Sequence, residues 1–288
     1  MSNHRGRAKL RSSLWRRLLR NRLVRTGFLL LLPILVLLCL GPRIAPYPVS
    51  QQSYTRFSGP TSEHWLGTDE YGRDTLSRLI LGTRVSLVVG VMSVLLGGVA
   101  GTFLGIIAGY SGGWIDTGIS KFADGVLSFP SVLIGVIVLF LIGQGTYNVA
   151  IAIAIAFLPR FIRLARASTL ALSSVEYIEA CRAIGVSNFR ILTRHIFPNI
   201  GGSILVMSTL WIASGIRLEA SLSFLGLGAQ PPAASWGLML RDGMSAILFS
   251  PWLSVFSGLM IFVSILGFNV IGDGLRDTLD PRLRNLSN

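Results

Sequence analysis

Long runs without a charged residue constrain the fold of this chain more than any other feature. A soluble domain carries about 25% charged residues, whereas this chain of 288 residues carries 14%. The run over 125–159 is too long for one crossing of about 20 residues, and the breaker residues of GQGTYN lie at its middle. We therefore predict an all-α polytopic membrane protein with six transmembrane helices. The run over 125–159 supplies two of them, joined by a tight turn, and the stretches 26–42, 85–115, 196–216 and 252–271 supply one each.

Polar segments between these runs divide the chain into regions. The predicted regions are a basic arm over 1–25, a first transmembrane helix over 26–45, an outer loop over 46–84, a core of five transmembrane helices over 85–275 that includes a cytoplasmic loop over 165–198, and a tail over 276–288.

The outer loop is predicted to end in a short interfacial helix. Leu76, Leu79 and Ile80 share one helical face. Asp74 and Arg78 have the spacing of an i,i+4 ion pair.

Basic residues fix the predicted orientation. The segments on one side of the predicted membrane hold 19 of the 26 Lys and Arg residues, nine of them in the arm. Because cytoplasmic segments are enriched in Lys and Arg, both termini are predicted to be cytoplasmic. The arm is expected to contact anionic membrane lipid. This topology explains the net charge of +13 more simply than a nucleic-acid partner does.

A polar stretch over 176–199 separates two very hydrophobic halves. Apolar residues recur at helical spacing on both sides of Gly185, which predicts two short amphipathic helices. They are Ile178, Cys181 and Ile184 before it, and Phe189, Leu192 and Ile196 after it. Gly185 is expected to end the first helix in the left-handed conformation, Ser187 to cap the second, and Pro198 to stop it. Such a helix–glycine–helix unit is either a knob for a partner or a plain connector.

This stretch resembles the EAA loop of membrane subunits of bacterial binding-protein-dependent ABC importers. The family pattern is Glu-Ala-Ala, three residues, Gly, nine residues, Ile-x-Leu-Pro. Here it reads Glu179-Ala180-Cys181, three residues, Gly185, nine residues, His195-Ile196-Phe197-Pro198. Cys181, His195 and Phe197 depart from it. The resemblance implies a coupling loop that docks on a cytoplasmic ATPase through Glu176, Glu179, Ala180, Cys181, Gly185 and Pro198.

Three further segments, HWLGTDEYGRDTLSRLILGTRVS, SFLGLGAQPP and GDGLRDTLDPRL, resemble the dipeptide, oligopeptide and nickel branch of these importers. The resemblance therefore covers nearly everything from His64 to Arg284. It implies the type I ABC importer (MetI-like) permease fold, a bacterial inner-membrane location and a periplasmic loop over 46–84. The implied function is half of a pore for short peptides or peptide-like solutes. A nickel importer is the alternative, and a stand-alone proton-coupled carrier is the rival from another class.

The same resemblance implies the partners. They are a homologous second permease subunit, two ATP-binding subunits, and a periplasmic or lipid-anchored substrate-binding protein. ATP and Mg would be used by the ATPases, and no cofactor or metal would be bound by this chain. The sequence itself has no GxxxxGK[ST] phosphate loop and no HExxH helix. We therefore expect a transport subunit and not an enzyme.

Small residues recur every four positions in the second apolar run, at Ser93, Gly97, Gly101, Gly105 and Gly109. Such a stripe lets a neighbouring membrane helix approach closely. Helix packing is the favoured interpretation, and a substrate path is the minor one. Arg217 and Glu219 lie at the end of the fifth apolar run, where ionisable groups are costly. They lie either near the outer interface, which we favour, or along the path.

Overall fold

Helices account for every regular element in the part of the chain that the computed structural model describes, residues 18–52, 55–248 and 250–279. The basic arm over 1–25 and the tail over 276–288 lie mostly outside these residues. In chain order the elements are α1 (Arg22–Ile44), α2 (Thr75–Ser111), α3 (Gly113–Leu127), α4 (Ser131–Ile142), α5 (Thr146–Ser173), α6 (Glu176–Ala183), α7 (Asn188–Ile191), a π-helical turn (Leu192–Ile196), α8 (Phe197–Phe224), α9 (Trp236–Met244) and α10 (Trp252–Leu279).

Five helical segments among the described residues are long and apolar enough to cross a membrane: Arg22–Ile44, Thr75–Ser111, Thr146–Ser173, Asn188–Phe224 and Trp252–Leu279. A sixth crossing results if α3 and α4, which meet at 95°, are one broken span. α4 has 12 residues, about 18 Å of helix, which is too short for a hydrocarbon core of about 30 Å. The prediction of an all-α polytopic membrane protein is confirmed.

Glycines and a proline set the limits of α4. The turn predicted within GQGTYN lies between α4 and α5, where Gly143 and Gly145 have φ of 85° and 135°. The break before α4 was not predicted. It ends at Pro130, which immediately precedes the helix. Because proline has no N–H and disfavours helical backbone in the residue before it, α3 does not continue into α4.

The predicted interfacial helix is not a separate element, because α2 runs without a break from Thr75 to Ser111. Asp74 precedes it and accepts a hydrogen bond from the N–H of Ser77 at 2.7 Å. This cap lets the helix begin ten residues before the apolar run. The helix has 37 residues, about 55 Å, and therefore extends beyond the hydrocarbon core.

The predicted ion pair between Asp74 and Arg78 is wrong. Asp74 caps α2 and bonds the His64 ring nitrogen at 2.9 Å. Arg78 instead lies 3.0 Å from an oxygen of Asp69 and 3.5 Å from an oxygen of Asp242. The Ser77 N–H occupies one oxygen of Asp74 and the His64 ring occupies the other, so neither oxygen bonds Arg78.

The glycine stripe of α2 lies against α5. A Cβ atom added at Gly97, Gly101, Gly105 or Gly109 would lie between 2.5 and 2.7 Å from a backbone carbonyl oxygen of α5. Ser93, the first member, is fully buried and donates its hydroxyl hydrogen bond to the Val89 carbonyl. The two helices therefore approach so closely that no larger side chain fits between them.

Two further contacts complete the packing. α1 crosses α10 at a pair of glycines, where a Cβ on Gly27 would lie 2.9 Å from the Gly267 carbonyl oxygen. Trp236, at the start of α9, is fully buried and donates its indole N–H to the Leu79 carbonyl at 3.1 Å. These contacts hold α9 against the first turns of α2.

Candidate functional site

The α6–α7 hairpin, defined here as α6, the turn 184–187 and α7, contains the polar stretch that the sequence singles out. α6 ends at Ala183, and Gly185 has φ of +77°. The Gly185 N–H donates to the backbone carbonyl of Arg182, and the Val186 N–H donates to that of Cys181, each at 3.0 Å. This pair of bonds is the Schellman motif, in which a left-handed glycine satisfies the last carbonyls of a helix. The prediction that Gly185 ends the first helix in the left-handed conformation is confirmed.

The second half of the hairpin departs from the prediction at two residues. Ser187 precedes α7 but makes no capping hydrogen bond with its side chain. Pro198 does not stop a helix; it lies in the first turn of α8. Proline lacks an N–H and its ring would clash with the carbonyl four residues before it. A π-helical turn lies directly ahead of it, in which the Phe197 N–H donates to the Leu192 carbonyl. The regular α-helical spacing is therefore interrupted just before the proline.

The base of the hairpin is anchored in a small apolar cluster. Ile178, Ile191 and Ile196 are fully buried there against Ile106 of α2 and Ala165 of α5. Ile191 was missed because the spacing argument followed Phe189, Leu192 and Ile196 instead.

Polar contacts support the same anchor. The Tyr110 hydroxyl donates to the Asn188 side chain at 2.8 Å, and the Arg182 guanidinium lies 4.8 Å from the Tyr110 ring centre. Tyr110 belongs to the end of α2, so the hairpin is tied to the helix that packs on α5.

The tip of the hairpin exposes large apolar side chains. Ile184 is 79% exposed and Phe189 is 76% exposed, although the helical spacing predicted both on apolar faces. No atom beyond the two chain neighbours lies within 4 Å of a Cβ added at Gly185. The predicted site residues Glu176, Glu179, Ala180 and Pro198 are also exposed, and Cys181 is half-buried. The hairpin is therefore a firmly anchored unit with a protruding, partly apolar tip.

A buried ion-pair network lies at the start of α2, and sequence spacing did not reveal it. Asp69 is fully buried and lies 2.7 Å from the Arg73 guanidinium and 3.0 Å from that of Arg78. Asp242 of α9 belongs to the same network, because one of its oxygens lies 3.5 Å from the Arg78 guanidinium. Burial raises the pKa of Asp242, while the charge of Arg78 opposes this shift. A cavity of about 460 Å³ lies beside the network, lined in part by Glu70, Arg73, Arg241 and Asp242.

Arg217 and Glu219 do not share an environment. Glu219 is 1% exposed, and one of its carboxylate oxygens accepts a hydrogen bond from Ser223 at 2.7 Å. Arg217 is exposed on another face of α8. Among the described residues, no group of three or more His, Cys, Asp or Glu side chains could hold a metal ion.

Comparison with known proteins gives two family matches. The family described as binding-protein-dependent transport system inner membrane component matches residues 101–285. The N-terminal transmembrane domain of oligopeptide transport permease C matches residues 10–60.

Individual relatives cover nearly the whole chain. The glutathione transport system permease protein of Pectobacterium atrosepticum is 43% identical over 273 residues, 94% of this chain and 91% of that protein. The protein of that name from Escherichia coli O157:H7 is 42% identical over 272 residues, 94% and 90% of the two chains. A solved chain of the inward-facing MetNI methionine ABC transporter has a TM-score of 0.58 at 16% identity, covering 70% of this chain and 97% of that one. This last likeness shows the fold.

Proposed function

Since the chain belongs to the family of binding-protein-dependent transport system inner membrane components and is the permease subunit of an ABC importer, we propose that it forms half of a pore for short peptides or peptide-like solutes such as glutathione. The glutathione transport permeases that it resembles over 94% of its length support this substrate class. The pore would be completed by a homologous second permease.

The α6–α7 hairpin is the observation that supports coupling to ATP hydrolysis. In this proposal its tip lies in the cytoplasm, with both chain termini, and Ile184 and Phe189 enter a groove of an ATP-binding subunit. Exposed apolar side chains of this size are typical of protein interaction sites. The anchored base would transmit the movement, because Ile178 and Ile196 pack on helices α2 and α5.

Coupling requires an interaction that differs between two states. A partner shifts a conformational equilibrium only through contacts that are stronger in one state than in the other. The hairpin would supply that contact when the ATPases close on ATP and Mg. A binding protein on the outer face would deliver the solute to the opened pore.

Uptake in a strain that lacks this chain tests the proposal. We expect labelled glutathione and dipeptides to enter only when the chain is restored, and nickel uptake to be unchanged. ATP depletion should abolish the restored uptake, whereas an uncoupler that leaves ATP intact should not. Loss of nickel uptake alone would instead identify a nickel importer. Uptake that collapses with the uncoupler at normal ATP would identify a proton-coupled carrier.

A further inference from the structure

The cavity beside the ion-pair network lies at the end of α2 that is remote from the α6–α7 hairpin. Arg73, which lines the cavity, comes just before α2, and Tyr110 near the other end of α2 bonds the hairpin. α2 has 37 residues, so about 55 Å of helix separates the two. With the hairpin in the cytoplasm, as proposed above, the cavity lies on the outer face of the membrane, where the solute arrives.

The ion-pair network beside the cavity is electrically balanced. It contains two carboxylates, Asp69 and Asp242, and two guanidiniums, Arg73 and Arg78. Arg73 lines the cavity, but it is 7% exposed and its Nε donates to Asp69 at 2.7 Å. These four side chains therefore form a wall of the cavity and leave no net charge for a ligand.

Glu70 and Arg241 are the charged lining residues outside this network. Glu70 is half-buried in the loop before α2, and Arg241 is exposed on α9. Within the part of the chain that the structure describes, neither side chain forms an ion pair. One unpaired anion and one unpaired cation therefore line the same cavity.

The guanidinium of Arg241 packs on the turn that precedes α9. Gly226 has φ of +84°, and a Cβ added there would lie 2.5 Å from a guanidinium nitrogen of Arg241. The side-chain amide of Gln230, which also lines the cavity, donates to the carbonyls of Gly226 and Gly228 at 3.2 and 3.1 Å. The cation therefore rests on a hydrogen-bonded turn, so this wall of the cavity is preorganised for a ligand.

We propose that this cavity binds the peptide-like solute as a zwitterion, with its ammonium group beside Glu70 and a carboxylate beside Arg241. This inference rests on the proposed function and adds a solute site on the outer face of the permease itself. The cavity volume of about 460 Å³ falls in the range of small-molecule sites, about 300–1,000 Å³. The planar guanidinium matches a carboxylate through two parallel hydrogen bonds.

The charge pattern favours a free solute over a side chain of the binding protein. An inserted side chain supplies at most one charge, so it would leave either Glu70 or Arg241 unpaired in the cavity. A short peptide supplies both charges at once. A peptide with one end blocked would again leave one of the two residues unpaired, and it is expected to bind more weakly.

The test measures binding of labelled glutathione to the purified complex of both permeases and the ATPases, before the binding protein is added. Glu70→Gln and Arg241→Gln should each raise the Kd for glutathione at least about tenfold, the usual scale for a lost bond to a charged group. Glu63→Gln and Arg56→Gln are the matched controls, because both residues are exposed in the loop before α2 and neither lines the cavity. The controls should bind glutathione with the wild-type Kd.

Blocked forms of glutathione show which charge each residue meets. N-acetylglutathione lacks the ammonium group, and glutathione diethyl ester lacks both carboxylates. Each should bind the wild-type complex at least about tenfold more weakly than glutathione. Arg241→Gln should bind the ester as well as it binds glutathione, and Glu70→Gln should do the same with the acetyl form, because the partner charge is already gone.

Several results would overturn the inference. These are absence of glutathione binding to the wild-type complex, a wild-type Kd in both variants, and losses from variant and blocked end that simply add. An unchanged glutathione Kd with weaker capture of the binding protein would assign the cavity to that protein. If the variants fail to assemble, equal affinity of the wild-type complex for glutathione and both blocked forms overturns the site. A wild-type complex that binds glutathione, but does not import it when the binding protein and ATP are added, contradicts the proposed function instead.

Discussion

Replacing Gly101 or Gly105 with alanine should force α2 and α5 apart. The new Cβ would lie 2.6 Å from the Leu158 carbonyl oxygen in the first case and 2.5 Å from the Ile162 carbonyl oxygen in the second. An ordinary contact begins at 3.4 Å, so the helices must separate by about 0.8 to 0.9 Å. The obstacle is backbone, which cannot rotate away as a flexible side chain does.

The expected cost follows from this geometry. Inserting one methyl group into a well-packed interior costs about 1–3 kcal/mol, and the gain in helix propensity from Gly to Ala offsets at most about 1 kcal/mol. The separation also weakens the neighbouring contacts of Gly97 and Gly109, which favours the upper part of that range. We expect the melting temperature of the purified transporter in detergent to fall by several degrees.

Gly82→Ala is the matched control, because Gly82 lies on the same helix and is also buried. Its added Cβ would meet its nearest neighbour, in Ala234, at 3.5 Å, an ordinary contact. This variant should melt at or slightly above the wild-type temperature. If Gly101→Ala and Gly105→Ala melt at the same temperature as Gly82→Ala, the stripe does not determine how α2 and α5 pack.

Two further predictions concern the ion-pair network. Asp69→Asn leaves the buried Arg78 without its nearest carboxylate, which should cost about 3–5 kcal/mol; a melting temperature within a degree of wild type would contradict a stabilising role. Because burial raises the pKa of Asp242, its contribution to stability is complete below the ordinary aspartate pKa and is lost as pH rises through the raised one. Asp242→Asn should therefore gain stability relative to wild type as pH rises above the ordinary aspartate pKa of about 4, and a constant difference would refute this sign.

The spans and the glycine stripe could be predicted from the sequence because both depend on local composition. Charge-free length determines whether a helix can cross a membrane, and a four-residue period places small residues on one face. The sequence could not show that Gly101 faces α5, because any helix with a complementary surface satisfies the same pattern. It also missed the break at Pro130, since the surrounding residues are apolar on both sides.

Contacts between distant residues were the least predictable part of the site. Arg78 and Asp242 are 164 positions apart, and the local spacing favoured Asp74 as the partner of Arg78. In the hairpin, Gly185 was predictable because few residues adopt its backbone conformation. Ile184 and Phe189 were not, because periodicity alone places apolar residues inside and cannot indicate a surface kept apolar for a partner.

The central claim is that the α6–α7 hairpin couples this chain to an ATPase, and one pull-down tests it most directly. The variants are Glu179→Lys, Gly185→Arg and the control Gly185→Asn, which keeps a small residue that tolerates the left-handed backbone. No atom beyond the two chain neighbours lies within 4 Å of a Cβ at Gly185. The arginine therefore strains only the backbone of the turn, at a cost in folding free energy of about 1–2 kcal/mol. It also changes the surface around the turn.

Each variant is purified from membranes, and the ATPase retained per permease is measured. All three variants should reach wild-type levels in the membrane. Glu179→Lys and Gly185→Arg should retain little ATPase, while Gly185→Asn retains nearly the wild-type amount. Wild-type retention in both Glu179→Lys and Gly185→Arg would reduce the hairpin to a connector and contradict the coupling mechanism.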